Sequence, residues 1–203
     1  VDWMFEIYFD NAGGGYINAG GNNSASVSYT PETWTSVLVR VNLDEDIAEL
    51  FVNSASVYSW QWSLGATGAG SADKMGGVDI YASAANSQQG DFYVDDVVLI
   101  KDLSPAIITE TFESFLADQP LAENSDLWTT WSGGLSTEDA DVSNTHASSG
   151  VNAVHIVGSA GPTDLILPFP QDYTTGTYDF SLKMYMTSGN GGYFNIQQSS
   201  TPG

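Results

Sequence analysis

Phe92-Tyr-Val-Asp-Asp-Val-Val-Leu-Ile100 has the look of a domain's last strand, yet it lies near the middle of a 203-residue chain. Working outward, Lys101-Asp-Leu-Ser-Pro-Ala106 reads as a short linker, and Ile107-Ile-Thr-Glu-Thr-Phe-Glu-Ser114 reads as a first strand. The chain begins in mid-sheet at Val1-Asp-Trp-Met-Phe-Glu-Ile-Tyr-Phe-Asp10 and stops at Thr201-Pro-Gly203 with no closing strand. Joined tail to head, the ends make one continuous β segment. The expectation is one unit over 1–203, assembled from 1–103 as its back half and 107–203 as its front half, with a linker at 101–106. That unit is either a permuted single domain or a repeat cut out of phase; the alternative is halves of two adjacent repeats.

A period of two runs almost throughout, which is the mark of half-buried strands. Trp3, Phe5, Ile7 and Phe9 share one face of their strand, while Met4, Glu6, Tyr8 and Asp10 share the other. Further strands are expected at Thr33–Val41, Ile47–Asn53, Ser56–Trp62, Gly77–Ser83, Ala153–Val157, Asp164–Leu167, Thr177–Met186 and Tyr193–Gln198. No convincing helix is found. Recurrent turn signals and 21 glycines point to an all-β protein, an antiparallel two-sheet jelly-roll sandwich. One shared core is expected from both halves, including Phe5, Ile7, Phe9, Val37, Val39, Phe51, Ile80, Leu182, Met184, Phe194 and Ile196. The tryptophan pairs Trp60/Trp62 and Trp128/Trp131 are expected to be buried.

Charge narrows the function classes. Four Lys and Arg stand against 25 Asp and Glu, a net charge of −21. This argues against nucleic acid and anionic membranes, both of which attract basic patches. It suits a secreted or surface protein and oxygen-loving Ca²⁺. With no cysteine, disulfides, thiol chemistry and Cys-based zinc sites are excluded.

Trp34-Thr-Ser-Val37 followed by Ala48-Glu-Leu-Phe-Val-Asn53 resembles the laminin-G-like, concanavalin A-like jelly rolls. A wider set resembles modules of secreted surface proteins of Bacteroidota. It comprises Thr111-Phe-Glu-Ser114, Leu127-Trp-Thr-Thr-Trp-Ser-Gly133, Leu182-Lys-Met-Tyr185, Tyr193-Phe-Asn195, Phe5-Glu-Ile-Tyr-Phe-Asp10, Ser59-Trp-Gln-Trp-Ser63, Gly77-Val-Asp-Ile-Tyr81 and Tyr93-Val-Asp-Asp-Val97. The order is rotated: in such modules the Phe-Glu-Ser segment comes first and the Val-Asp-Asp-Val strand last. The resemblance implies a non-catalytic adhesion, sugar-binding or spacer module. It also implies a structural Ca²⁺ site where a first-strand Glu meets a last-strand Asp, here Glu113 with Asp95 and Asp96; otherwise one Asp faces solvent and the other caps a turn.

The strand alternation gathers a polar face from Glu6, Tyr8, Arg40, Asp79, Tyr81, Lys183, Tyr185 and Asn195, with Tyr193 and Gln197 beside them. Aromatic rings offer flat faces to sugar C–H groups, and carboxylates and amides meet hydroxyls. The bland alternative is that these groups pair with one another on a partly buried sheet face.

No catalytic motif stands out. Glu6 and Asp10 are about 13 Å apart at roughly 3.3 Å per residue along a strand, too far for either usual glycosidase geometry; Glu6 with Asp79 is the one remaining pair. His146 and His155 lack a marked triad partner, and no Gly-x-Ser-x-Gly elbow occurs. The chain is therefore expected to be a non-catalytic extracellular structural or adhesive repeat of a bacterial surface fibre or large adhesin, with copies of itself or neighbouring repeats as partners. The alternative is a carbohydrate-binding module of a secreted multi-domain hydrolase, with glycans as partners.

Overall fold

The computed structural model describes residues 2–133, 137–158 and 162–201. The fifteen strands are β1 (Trp3–Phe9), β2 (Gly14–Asn18), β3 (Ala25–Ser28), β4 (Thr35–Asn42), β5 (Ile47–Val52), β6 (Ala55–Gln61), β7 (Met75–Tyr81), β8 (Asp91–Lys101), β9 (Ile108–Glu110), β10 (Thr129–Thr130), β11 (Asp141–Ser143), β12 (Ala153–Val157), β13 (Asp164–Tyr173), β14 (Thr177–Met186) and β15 (Gly192–Gln197). Three single 3-10 turns are the helical content of the described residues. None of them is long and apolar enough to cross a membrane.

The strands form an antiparallel jelly-roll sandwich. One sheet runs β10-β13-β7-β15-β1-β2-β3, and the other runs β11-β12-β8-β14-β4-β5-β6, with β9 paired to β8. Each sheet takes strands from both halves of the chain. The seams fall at the sheet centres, where β1 pairs with β15 of the same chain from Trp3↔Gln197 to Phe9↔Gly192. The termini meet beside that seam. Gln198 donates from its backbone N to Asp2 O at 3.1 Å and from its side chain to Asp2 Oδ2 at 3.0 Å; Val1 and Gly203 themselves lie outside the described residues.

One hydrophobic core fills the space between the sheets. Phe194 touches Phe5 within its own sheet at a ring separation of 5.8 Å, and Phe180 of the facing sheet at 6.0 Å. Phe5 also stacks on Trp60 across the sandwich at 5.4 Å. Each such ring is worth about 1.5–3 kcal/mol on burial. Trp60, Trp62 and Trp128 are buried as expected, but Trp131 is only half-buried.

Two core expectations are corrected. Phe51 is only half-buried, because Ala48, Leu50 and Val52 are the inward residues of β5; Phe51 lies under the Arg40 guanidinium, 5.8 Å from its ring centre. Trp3 is 42% exposed rather than in the core. A bulge between Trp3 and Phe5 in the β1–β15 pairing breaks the alternation there, and Met4 is buried instead.

The expected linker is the turn of a hairpin. β8 and β9 pair with each other, Val97↔Glu110 through Leu99↔Ile108, and the chain reverses around Asp102 and Leu103, both at positive φ. β13 extends past the expected Leu167 through Pro168 and Pro170 to Tyr173. Prolines are tolerated there because β10 pairs only with Leu165 and Ile166, leaving that edge of β13 beyond them free of a ladder. Three of the four edge strands, β3, β10 and β11, are two to four residues long, which limits their use as templates for further pairing; the fourth, β6, has seven residues.

Candidate functional site

Parity along β1, β15, β7 and β13 turns Ile7, Phe194, Ile196, Val78, Ile80, Leu165 and Leu167 into the core. The residues between them face outward. Register then lines these up across strands: Asn18, Glu6, Asn195 and Asp79 form one row, and Tyr16, Tyr8 and Tyr193 form the next. Tyr81 stands opposite Asp164.

Hydrogen bonds knit this face across four strands, β2, β1, β15 and β7. Glu6 is 4% exposed. Its Oε1 accepts from the hydroxyls of Tyr8 (2.8 Å) and Tyr193 (3.1 Å), and its Oε2 accepts from Asn18 Nδ2 (2.8 Å). Asn195 Nδ2 donates to Tyr193 Oη (2.9 Å) and to Asp79 Oδ2 (2.6 Å). Burial, then the Glu6 carboxylate, pushes the Tyr8 and Tyr193 hydroxyls well above the ordinary phenol range, so both remain donors. The rings pack in series, Tyr16 to Tyr8 at 4.7 Å, Tyr8 to Tyr193 at 4.5 Å and Tyr193 edge-on to Tyr81 at 6.4 Å.

At the far end of this network the pairing stops. Burial, followed by the neighbouring Asp164 carboxyl, holds Asp79 well above the usual carboxylate range; Asp164 is raised in turn, chiefly by burial. With both ionised, Asp79 Oδ1 and Asp164 Oδ1 have no donor; one proton shared between the two carboxyls satisfies both. Asn195 Oδ1 and both polar atoms of the fully buried Gln197 also lack partners. An unpaired buried polar atom costs about 1–3 kcal/mol, so four unsatisfied side chains on adjacent strands are a costly concentration. Two of them, Asp79 and Asp164, line a cavity of ≈ 220 Å³ together with Trp3, Tyr8, Tyr81, Ser83, Trp131 and Tyr193.

Of the expected polar face, the structure brings together Glu6, Tyr8, Asp79, Tyr81 and Asn195. Arg40, Lys183 and Tyr185 do not join them. They sit on β4 and β14, on the outer face of the opposite sheet, because alternation fixes which side of a strand a residue faces but not which sheet holds the strand. Asp164, Trp3 and Ser83 complete the cavity and were not singled out for it from the sequence; Trp131, expected to be buried, is half-buried and lines it too. Asp164 has the outward parity of its strand, but its place opposite Tyr81 depends on a non-local pairing.

The three residues expected to hold calcium clasp one loop instead. A bulge at Asp95 and Asp96, the latter with φ 51°, turns both carboxyls toward residues 148–152. Asp95 Oδ2 accepts from the backbone N of Ser148 (2.7 Å) and Ser149 (3.1 Å), while its Oδ1 accepts from Asp96 N (2.7 Å). Glu113 Oε1 accepts from the backbone N of Val151 (2.9 Å) and Asn152 (2.8 Å). Asp96 Oδ2 holds the Lys183 ammonium at 2.9 Å. Burial works to raise Asp96, but bonds from Ser149 and Lys183 outweigh it and hold its carboxyl below the usual range. In this arrangement the three carboxylates serve backbone amides of one loop and one ammonium.

A scan against protein-family models found no match to this chain. A search of curated proteins found no match either.

Proposed function

We propose that this protein is a non-catalytic glycan-binding module, set in an extracellular protein, that holds a sugar on the outer face of its β10-to-β3 sheet. One observation carries this: a shallow cavity walled by Trp3, Tyr8, Tyr81, Trp131 and Tyr193, with unpaired polar atoms at its base. Ring faces and convergent polar groups are what a saccharide needs. The cavity is smaller than the ~300–1,000 Å³ of sites that engulf a drug-sized ligand, which suits one ring of a longer chain lying across the sheet.

Binding without cleavage is supported by how the acids are engaged. Glu6 has both oxygens occupied by Tyr8, Tyr193 and Asn18, and Asp79 and Asp164 face each other. The rotated order of segments left the sheet to be completed either by the chain's own far end or by a neighbour. Here β1 and β15 complete it within one chain, and the glycan reading needs no second subunit.

Calorimetric titration with neutral and amino oligosaccharides tests the proposal. Binding is expected, with Tyr8→Ala and Trp131→Ala each weakening it about 30-fold, the effect of losing an anchor worth ~2 kcal/mol. Tyr185→Ala, on the opposite sheet, leaves it unchanged. Release of shortened oligosaccharides by the wild type, or equal loss from Tyr185→Ala, overturns the proposal.

A further inference from the structure

The cavity floor is rich in acceptors and poor in donors. Asp79 Oδ1 and Asp164 Oδ1 have no donor beyond the one proton the two carboxyls can share, and Asp79 is 5% exposed. Behind them on β15, Asn195 Oδ1 and Gln197 Oε1 are likewise unpaired, against a single unpaired donor, Gln197 Nε2. A neutral hydroxyl gives one hydrogen and brings lone pairs that find little to accept from. An ammonium gives three hydrogens and brings no acceptor.

Charge points the same way. Among the described residues, no Lys or Arg lines the cavity. The chain's four cations are engaged elsewhere: Arg40 with Asp179, Lys74 with Asp172, Lys183 with Asp96, and Lys101 over the Tyr178 ring. The net charge of −21 sets an attractive field for a cation and a repulsive one for uronic, sulfated or phosphorylated sugars. Trp3, Tyr8, Tyr81, Trp131 and Tyr193 present ring faces that also attract a cation when it is desolvated.

Resting on the glycan-binding reading above, we propose that the cavity selects a hexosamine unit with a free, protonated amine, as in chitosan, and seats its ammonium between the Asp79 and Asp164 carboxyls. The ammonium takes the place of the proton the two acids otherwise share. N-acetylation removes the charge and two of the donors, so chitin-type units lose the advantage.

The test is calorimetry with a chitosan oligomer, its fully N-acetylated counterpart and a cello-oligosaccharide of equal length, in a buffer containing chelator. It is run at about pH 6, below the ~7.7–8.0 where an α-amino group titrates. The free-amine oligomer is expected to bind at least about tenfold tighter than either neutral one. Asp79→Asn and Asp164→Asn should each bring that ratio close to one, with folding verified by circular dichroism. Neutral oligomers that bind as tightly as the amine, and lose binding in Tyr8→Ala, overturn the amine preference and leave the glycan reading standing. No binding of any oligosaccharide overturns both. A preference that survives the Asp79→Asn/Asp164→Asn double variant reflects general attraction to an acidic surface, and it too overturns the proposal.

Discussion

On the outer face of the β11-to-β6 sheet, polar groups find one another. Arg40 grips Asp179 through two bonds of 2.7 and 2.8 Å, Lys183 bridges Asp96 and Ser148, and His155 pairs with Asp91 at 2.8 Å while its ring stacks on Tyr93 at 4.1 Å. His146 stacks on Tyr185 at 4.3 Å. The outer face of the opposite sheet has the same ingredients of tyrosines, acids and amides, but among the described residues its cation, Lys74, is held by Asp172 away from the cavity lining, and the pairing runs out at Asp79, Asp164, Asn195 and Gln197. Composition alone does not separate the two faces. What separates them is whether each buried polar atom has a partner within the chain, since satisfied groups stabilise the fold and unsatisfied ones leave hydrogen-bonding capacity for water, an ion or a ligand to meet.

The largest effect expected from this contrast is on the paired face. Asp95 is fully buried and accepts three backbone amides. Asp95→Ala strands those amides and frees the 148–152 loop. The expected loss is about 3 kcal/mol, or a melting point lower by roughly 6–12 °C in a domain of this size. A loss below about 1 kcal/mol would mean that the clasp is ornamental. The same clasp predicts that chelators leave the melting point unchanged; a drop reversed by added calcium would put a cation among Glu113, Asp95 and Asp96.

On the unpaired face the sign reverses. Folding raises the Asp79 carboxyl, mainly by burial, so the folded protein holds a proton that the unfolded chain releases near pH ~3.9. The stabilisation is present at low pH, declines as pH rises above ~3.9 toward the raised folded value, and is gone above it. Asp79→Asn is neutral at every pH and donates to Asp164. It is expected to remove that slope and to stabilise the protein by about 1 kcal/mol at neutral pH. Destabilisation at neutral pH would show that Asp79 is satisfied after all.

The smallest effect is expected at Arg40, whose side chain is 46% exposed. Arg40→Ala should cost about 0.5 kcal/mol, as exposed ion pairs do. A cost of several kcal/mol would mean that the paired face depends on Arg40 far more than its exposure suggests.

Much of this was legible in the sequence, for local reasons. The jelly-roll sandwich follows from period-two alternation and closely spaced turns, and the outward parity of Glu6, Tyr8, Asp79, Tyr81 and Asn195 needs only a strand. What escaped depends on contacts distant in sequence. Arg40, Lys183 and Tyr185 share that parity but belong to the other sheet. Trp3 turns outward because of a bulge, and Phe51 because its neighbour Leu50 takes the core position. β10 and β11 span two and three residues, too few to show a period. Asp164 became a site residue only through β13 lying beside β7. Whether Glu113, Asp95 and Asp96 bind metal or amides depends on where the 148–152 loop rests, which no spacing in the sequence specifies.

The central claim is that the unpaired face is the ligand face, and amide chemical-shift mapping during titration with a chitosan oligomer tests it most directly. Shifts should concentrate at Tyr8, Asp79, Tyr81, Asp164 and Tyr193, with Tyr93, His146, Lys183 and Tyr185 unmoved. Shifts centred on the second group, or none on the first at saturating sugar, would contradict it.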